Sequence, residues 1–189
     1  MEIIYKSTQK QRSILQIQGR VSIDERPAIV DARERIGDWE IDTIIGKKRK
    51  GVLLSLVERK TKFTLIRKLE KKQANLVAEA AIHLLNPYKE TVCTITADNG
   101  QEFAHHNYIK EQLHTTVYFA HPYHAWERGL CENTNGLIRQ YFPKGMSFET
   151  ITDEHVFVAM NRLNARPRKT LGYKTPTEVF FQAIIKQAA

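Results

Sequence analysis

Between Gly37 and Glu70 the sequence places three extended runs with almost no chain between them. The first, GDWEIDTIIG, alternates: Trp39, Ile41 and Thr43 point one way, Asp38, Glu40 and Asp42 the other. A basic turn, KKRKG, follows. VLLSLVERKTKFTLIRKLE then reads as two more strands, rich in Val, Leu, Ile, Phe and Thr, that turn near RKTK. Strands joined by connections this short must pair antiparallel. That meander fixes the first half of any sheet the chain can build.

Beyond it the period changes. Leu76, Val77, Ala80, Ala81, Leu84 and Leu85 recur at three and four, which predicts a helix that Pro87 stops. TVCTITADNG reads as a strand ending in a turn, QEFAHHNYIKEQL as a helix and TTVYFA as a short strand. HPYHAWERGL is a loop, and CENTNGLIRQYF starts a helix that PKG ends. DEHVFVAMNRLNA is helical with Asp153 as its cap, RPRKTLGYKTP is a basic loop, and TPTEVFFQAIIKQ is a final helix with Pro176 in its first turn. Residues 1–36, with Pro27 and the run DARER, read as a basic arm or linker; residues 37–189 read as one domain. Three antiparallel strands, then helix, strand, helix, strand and helices predict an α/β fold. It is a ribonuclease-H-like mixed sheet in which parallel strands follow the antiparallel ones, flanked by helices.

Lys and Arg number 29 against 21 Asp and Glu, a net +8. A surplus of this size points to a polyanionic partner, nucleic acid first; a solubility charge with no partner is the plain alternative. No apolar run approaches the ~20 residues that span a bilayer, and the first residues show no secretory signal. Cys93 and Cys131 are spaced neither as a zinc knuckle nor as a disulfide framework, which fits a reducing compartment such as the bacterial cytoplasm. His105, His106, His114, His121 and His124 are dense, but without HExxH or a Cys/His pairing no zinc site is expected. No glycine-rich phosphate loop is present, so no nucleoside triphosphate is expected either.

Three acids stand out: Asp42 in the first strand, Asp98 where TVCTITAD ends at Asn99-Gly100, and Glu132 near a helix start. Each has an ordinary reading. Asp38, Glu40 and Asp42 suit a solvent-facing strand, Asp98 suits a turn, and Glu132 suits a helix macrodipole. Jointly they lie where strand ends and helix starts converge at a sheet edge. Clustered carboxylates repel unless they hold a cation. Mg²⁺ takes such oxygens, and two ions ~3.5–4 Å apart serve phosphodiester chemistry.

RVSIDERPAIVDARERIGDWEIDTIIG, ADNGQEF, HPYHAWERGLCENTNGLIRQYFPKG and RPRKTLGYKTPTEVF together resemble the insertion-sequence-30 family of transposases, part of the larger DDE transposase and retroviral-integrase group. The resemblance runs from about Arg20 to Phe181, with four motifs in order. It implies a ribonuclease-H-like catalytic domain whose acidic triad, binding two Mg²⁺ or Mn²⁺ when DNA is bound, falls on Asp42, Asp98 and Glu132. The 33 residues between the last two match the family's spacing. At Asp38 and Ile41 the family pattern often carries His and Gly, and neither is a ligand position.

The resemblance further implies DNA cleavage and strand transfer, with transposon ends and target DNA as partners. It implies a homo-oligomeric active complex and a cytoplasmic, nucleoid-associated location. Candidate DNA contacts are Lys47, Lys48, Arg49, Lys50, Arg128, Asn133, Asn135, Arg139, Lys144, Arg166, Arg168 and Lys169. Asn133 and Asn135 are read as holding phosphate or orienting Glu132, Tyr123 and Trp126 as able to stack on a displaced base, and Glu127 as a loop residue. Family members usually carry helix-turn-helix segments before the catalytic domain, so a catalytic fragment or truncated product with weak end recognition is expected. A truncated, non-catalytic DNA-binding regulator of a full-length transposase is the alternative. A nuclease of RNA–DNA hybrids is a third reading, which ENTNGLIRQYFPKG disfavours.

Overall fold

The computed structural model describes residues 17–188. Residues 1–16, the first part of the segment read as an arm, lie outside the described residues, as does Ala189. The predicted meander is β2 (Asp38–Ile45), β3 (Val52–Glu58) and β4 (Thr64–Leu69), antiparallel throughout. β5 (Thr94–Ala97) lies parallel beside β2, and β6 (Thr116–Phe119) parallel beside β5. Val21–Ser22, within the stretch read as an arm, forms β1 and extends the parallel half on β6. The six-stranded order is β1-β6-β5-β2-β3-β4. The helices are α1 (Ala28–Ala32), α2 (Ala74–Leu85), α3 (His106–Leu113), α4 (Gly129–Ile138), α5 (Asp153–Asn164) and α6 (Pro176–Ala188).

Helices cover both faces. Trp39, Ile41, Leu54, Leu56 and Leu65 pack with Val77, Ala81 and Leu85 of α2 and with Phe180 of α6. On the reverse face Ile44, Leu53 and Ile66 pack with Ile138 of α4, with Phe142 and Phe148, and with Val156 and Leu163 of α5. Double coverage explains why every position of VLLSLVE is buried.

It also corrects the reading of β2. Asp38 and Glu40 are not surface charge; both are fully buried. An antiparallel strand shows polar residues to water only if nothing packs on that side, and here α4 does. The buried acids are paired: Asp38 accepts from Arg35 and from the Thr94 hydroxyl, and Glu40 faces Arg59 Nη1 at 2.6 Å. Gly37 opens β2 at φ +101°, and a Cβ there would sit 1.7 Å from the Thr91 carbonyl oxygen, so only glycine fits. A second correction concerns α5. Thr152, not Asp153, is its cap: the threonine hydroxyl accepts from His155 N and His155 Nδ1 accepts from Thr152 N. Asp153 sits inside the first turn, where its charge suits the dipole. Among the described residues no helix is long and apolar enough to cross a membrane.

Candidate active site

The parallel pairing of β2 with β5 sets the first two acids side by side. Asp38 pairs with Thr94, Trp39 with Ile95 and Glu40 with Thr96. The same register carried two residues further brings Asp42 abreast of Asp98, just past the end of β5. Asp98 Oδ1 accepts from Gly100 N at 2.8 Å, an Asx turn that uses the Asn-Gly pair. Its other oxygen accepts from Arg128 Nη2 at 3.1 Å. The turn role and the site role therefore coexist in one carboxylate. Asp42 accepts from Thr43 N and from Asn135 Nδ2, both at 2.8 Å, and lies 3.6 Å from Arg128 Nη1.

α4 is docked onto these strands at three points. Arg128, just before the helix, also donates to the Ile41 carbonyl oxygen at 3.2 Å. The Cys131 N–H in the first turn donates to Glu40 Oε2 at 2.8 Å, so a buried strand carboxylate serves the helix start. Asn135 donates to Asp42 and accepts from the Ser55 hydroxyl. Glu132 falls between Arg128 and Asn135 on this face of the helix, four residues after one and three before the other. It is exposed, and its carboxylate makes no hydrogen bond or ion pair with a described residue. The structure thus joins Asp42 and Asp98 through one guanidinium and leaves Glu132 free on the helix that overlies them.

Asp42, Asp98 and Glu132 do not bring ligand atoms within 4.8 Å of one another; among the described residues the group that does is His121, His124 and Glu127. Histidine 121 sits between two acids, Nδ1 at 2.8 Å from Glu127 and Nε2 at 2.9 Å from Asp24. Glu127 also accepts from His121 N, so its role is to tie the β6–α4 loop.

Burial pushes the Asp42 carboxyl up, partly offset by Arg128. Burial pulls the Arg128 guanidinium down, but Asp42 and Asp98 together hold it above its ordinary value. Burial keeps the Cys131 thiol well above the usual range, an inert filler between Val57 and Leu130.

No family model matches the chain. Individual relatives do. Over 168 residues it is 55% identical to the transposase for insertion sequence element IS4351 of Bacteroides fragilis, covering 89% of this chain and 52% of that one. Over 175 residues it is 37% identical to the transposase InsI for insertion sequence element IS30C of Escherichia coli K12, covering 92% of this chain and 45% of that one. The chain is a homologue of the insertion-sequence-30 transposases. It spans about half the length of these relatives. Among solved structures, the catalytic core domain of BIV integrase matches with a TM-score of 0.64 at 19% identity, over 81% of this chain and 99% of that one. A chain of the simian T-cell lymphotropic virus intasome, solved with a PP2A regulatory subunit, gives the same TM-score of 0.64 over 77% of this chain and 54% of its own. Identity this low speaks for the fold alone, and the fold is ribonuclease-H-like, as the order of elements predicts.

In this transposase homologue the remaining predicted residues scatter into distinct environments. Lys47, Lys48 and Arg49 form an exposed turn between β2 and β3, and Lys50 pairs with Glu149 at 3.1 Å. Arg139 braces the end of α4: it donates to the Ile45 and Phe142 carbonyls and lies over the Phe148 ring. Lys144 and Lys169 are exposed, and Arg166 donates to Gln140. Tyr123 and Trp126 project from the β6–α4 loop, 94% and 71% exposed. Asn133 and Arg168 lie together behind α4, with Arg33 and Lys62, which sequence reasoning passed over. It passed over Glu40 and Arg59 too. The only sign of that pair in the sequence is an acid two residues before Asp42.

Proposed function

We propose that the chain is the catalytic core of a DDE transposase, cutting and joining DNA strands by metal-dependent phosphodiester transesterification. The observation that carries this reading is the Arg128 guanidinium bridging Asp42 and Asp98. Two carboxylates abreast in a half-buried pocket need positive charge between them, and here a side chain supplies it. Hard oxygen donors of this kind suit Mg²⁺ or Mn²⁺, and Glu132, free on the overlying helix, completes the set. Two such ions held by Asp42, Asp98 and Glu132 with DNA bound would activate a water or 3′-hydroxyl and stabilise the leaving oxygen.

The chain's own residues prepare that pocket. Thr43 N and Asn135 hold the two oxygens of Asp42, and Gly100 N fixes Asp98. Glu40 anchors the first turn of the helix bearing Glu132. Arg128, which neutralises the two acids here, would be free to face substrate phosphate were cations to take its place. The exposed Lys47–Lys48–Arg49 turn grips DNA backbone, and the active complex with transposon ends and target is a homo-oligomer.

The test is joining of a pre-cut element-end oligonucleotide to plasmid DNA in Mg²⁺ or Mn²⁺. Wild type should join; Asp42→Asn, Asp98→Asn and Glu132→Gln should not, while each still binds duplex in EDTA. A chain that binds DNA but joins nothing with either cation overturns the catalytic reading and leaves a regulator.

A further inference from the structure

On the side of α4 turned away from Asp42 lies a cavity of about 350 Å³, walled by Asn133 and other residues of the helix and, opposite, by Arg33, Lys62, Thr64, Arg168 and Thr170. The three cations come from three segments: the end of α1, the β3–β4 turn and the loop before α6. No carboxylate lines the space.

Gathering like charges in a concavity costs free energy unless something answers them. The two acids that act on Lys62 do not. Glu40 and Glu58 act on Lys62 from below, yet both are fully buried and their oxygens are taken. Glu40 is held by Arg59 and Cys131 N; Glu58 is held by Gly37 N and by Thr61. Among the described residues the Lys62 ammonium donates only to the Arg59 carbonyl, and the Arg168 guanidinium only to that of Leu163. Arg168 Nε is buried with no partner, and Arg33 has no ion pair or hydrogen bond to a described residue. Two of the charges feel each other: burial and then Arg33 pull Lys62 below its ordinary value, while burial and then Arg166, outside the lining, do the same to Arg168.

We infer that this cavity is a phosphate site, holding one backbone phosphodiester of duplex DNA on the reverse side of the helix that carries Glu132. Guanidinium forks suit phosphate oxygens, and Asn133 and Thr170 add neutral donors. A space of about 350 Å³ is large enough for one phosphate with its sugar. DNA is chosen among phosphate sources on the strength of the function proposed above; the site itself needs no catalysis. α4 would then be clasped by DNA on both sides, so that binding behind it bears on the docking of Glu132 in front.

The experiment is fluorescence anisotropy of a labelled duplex with the full chain in EDTA, across a salt series. Arg33→Gln, Lys62→Gln and Arg168→Gln should each weaken binding about three- to tenfold at low salt. Each should lower the magnitude of the slope of log K against log salt by up to roughly 0.9, the value for one phosphate, and the triple variant should lower it by roughly 0.9 and no more. Each variant should melt no lower than wild type, because substitution relieves repulsion; should Arg168→Gln fail to fold, the other two decide. Unchanged affinity and slope overturn the proposal. Calorimetry with inorganic phosphate supplies the second arm. If wild type binds it, the variants do not, and duplex affinity stays unchanged, the ligand is a small anion and the DNA assignment fails. Neither assay needs metal or joining, so loss of the catalytic reading would leave this result standing.

Discussion

The two sides of α4 present opposite electrostatic problems. In front, Arg128 lies between Asp42 and Asp98: one cation serves two acids, with two further N–H donors on Asp42 and one on Asp98. Behind, Arg33, Lys62 and Arg168 face a cavity with no acid in its lining. A surplus of acid in front suits cations, and a surplus of base behind suits anions. The phosphodiester chemistry proposed above would use both, and a single helix separates them. Charge on this chain is therefore organised at the scale of one helix diameter, which the overall +8 conceals.

The comparison is broken most severely at the front. Asp98→Asn should reduce strand transfer about 1,000-fold, near 4 kcal/mol of barrier, with duplex binding in EDTA changed less than about twofold. A parallel fall in DNA binding would show that the two sides are not separable. Next in size is the anchor beneath the helix. Glu40→Ala takes the buried carboxylate from Arg59, leaving it only the exposed Asp31 and the Val30 carbonyl, and leaves the Cys131 N–H without its acceptor, which should cost about 3 kcal/mol. Urea denaturation reads that loss; a change under about 1 kcal/mol would mean that α4 is held elsewhere.

Arg128→Gln sharpens the contrast by removing the resident cation. Without the guanidinium, Mn²⁺ titrated calorimetrically in the absence of DNA should bind about tenfold tighter, ~1.4 kcal/mol. Equal or weaker binding would show that Arg128 does not compete for the acids. The smallest effect concerns pH. Burial raises the folded Asp42 above its unfolded value near 3.9, so the folded chain keeps that proton longer. Stability is therefore lost as pH rises from the unfolded value through the folded one, and the penalty persists at neutral pH. Asp42→Asn should melt slightly higher than wild type at pH 7, and the gain should vanish below about pH 3.9.

What the sequence reveals and what it hides follow from the range of the interactions. The β2–β3–β4 meander is local, and its pattern declares it. Asp42 and Asp98 become neighbours once β2 and β5 are parallel, so they too are legible from strand order. Glu40 is not: it alternates with Trp39 and Ile41 as a solvent-facing acid does, and what buries it is a helix some ninety residues further along. Its partner Arg59 sits in ERKTK, which reads as an exposed turn. Thr152 and Asp153 both suit a cap, and only backbone geometry decides between them: Thr152 is extended at ψ 163°. Arg33 and Lys62 show no motif, because a cavity wall drawn from three segments leaves no spacing to read.

Register on the β2–β5 ladder changes only in whole residues. A slip of one would turn Asp42 to the other face of the sheet, so no slight adjustment of the strands can bring it gradually nearer to Asp98 or take it gradually away. The strand half of the site is thus quantised, either present or absent. Any graded control, from a partner subunit, a bound strand or a surface substitution, has to act through the helix, whose tilt and slide are continuous. Tolerance to insertions should divide the same way: none between Trp39 and Asp42 or between Ile95 and Asp98, and some in the loop that leads into α4.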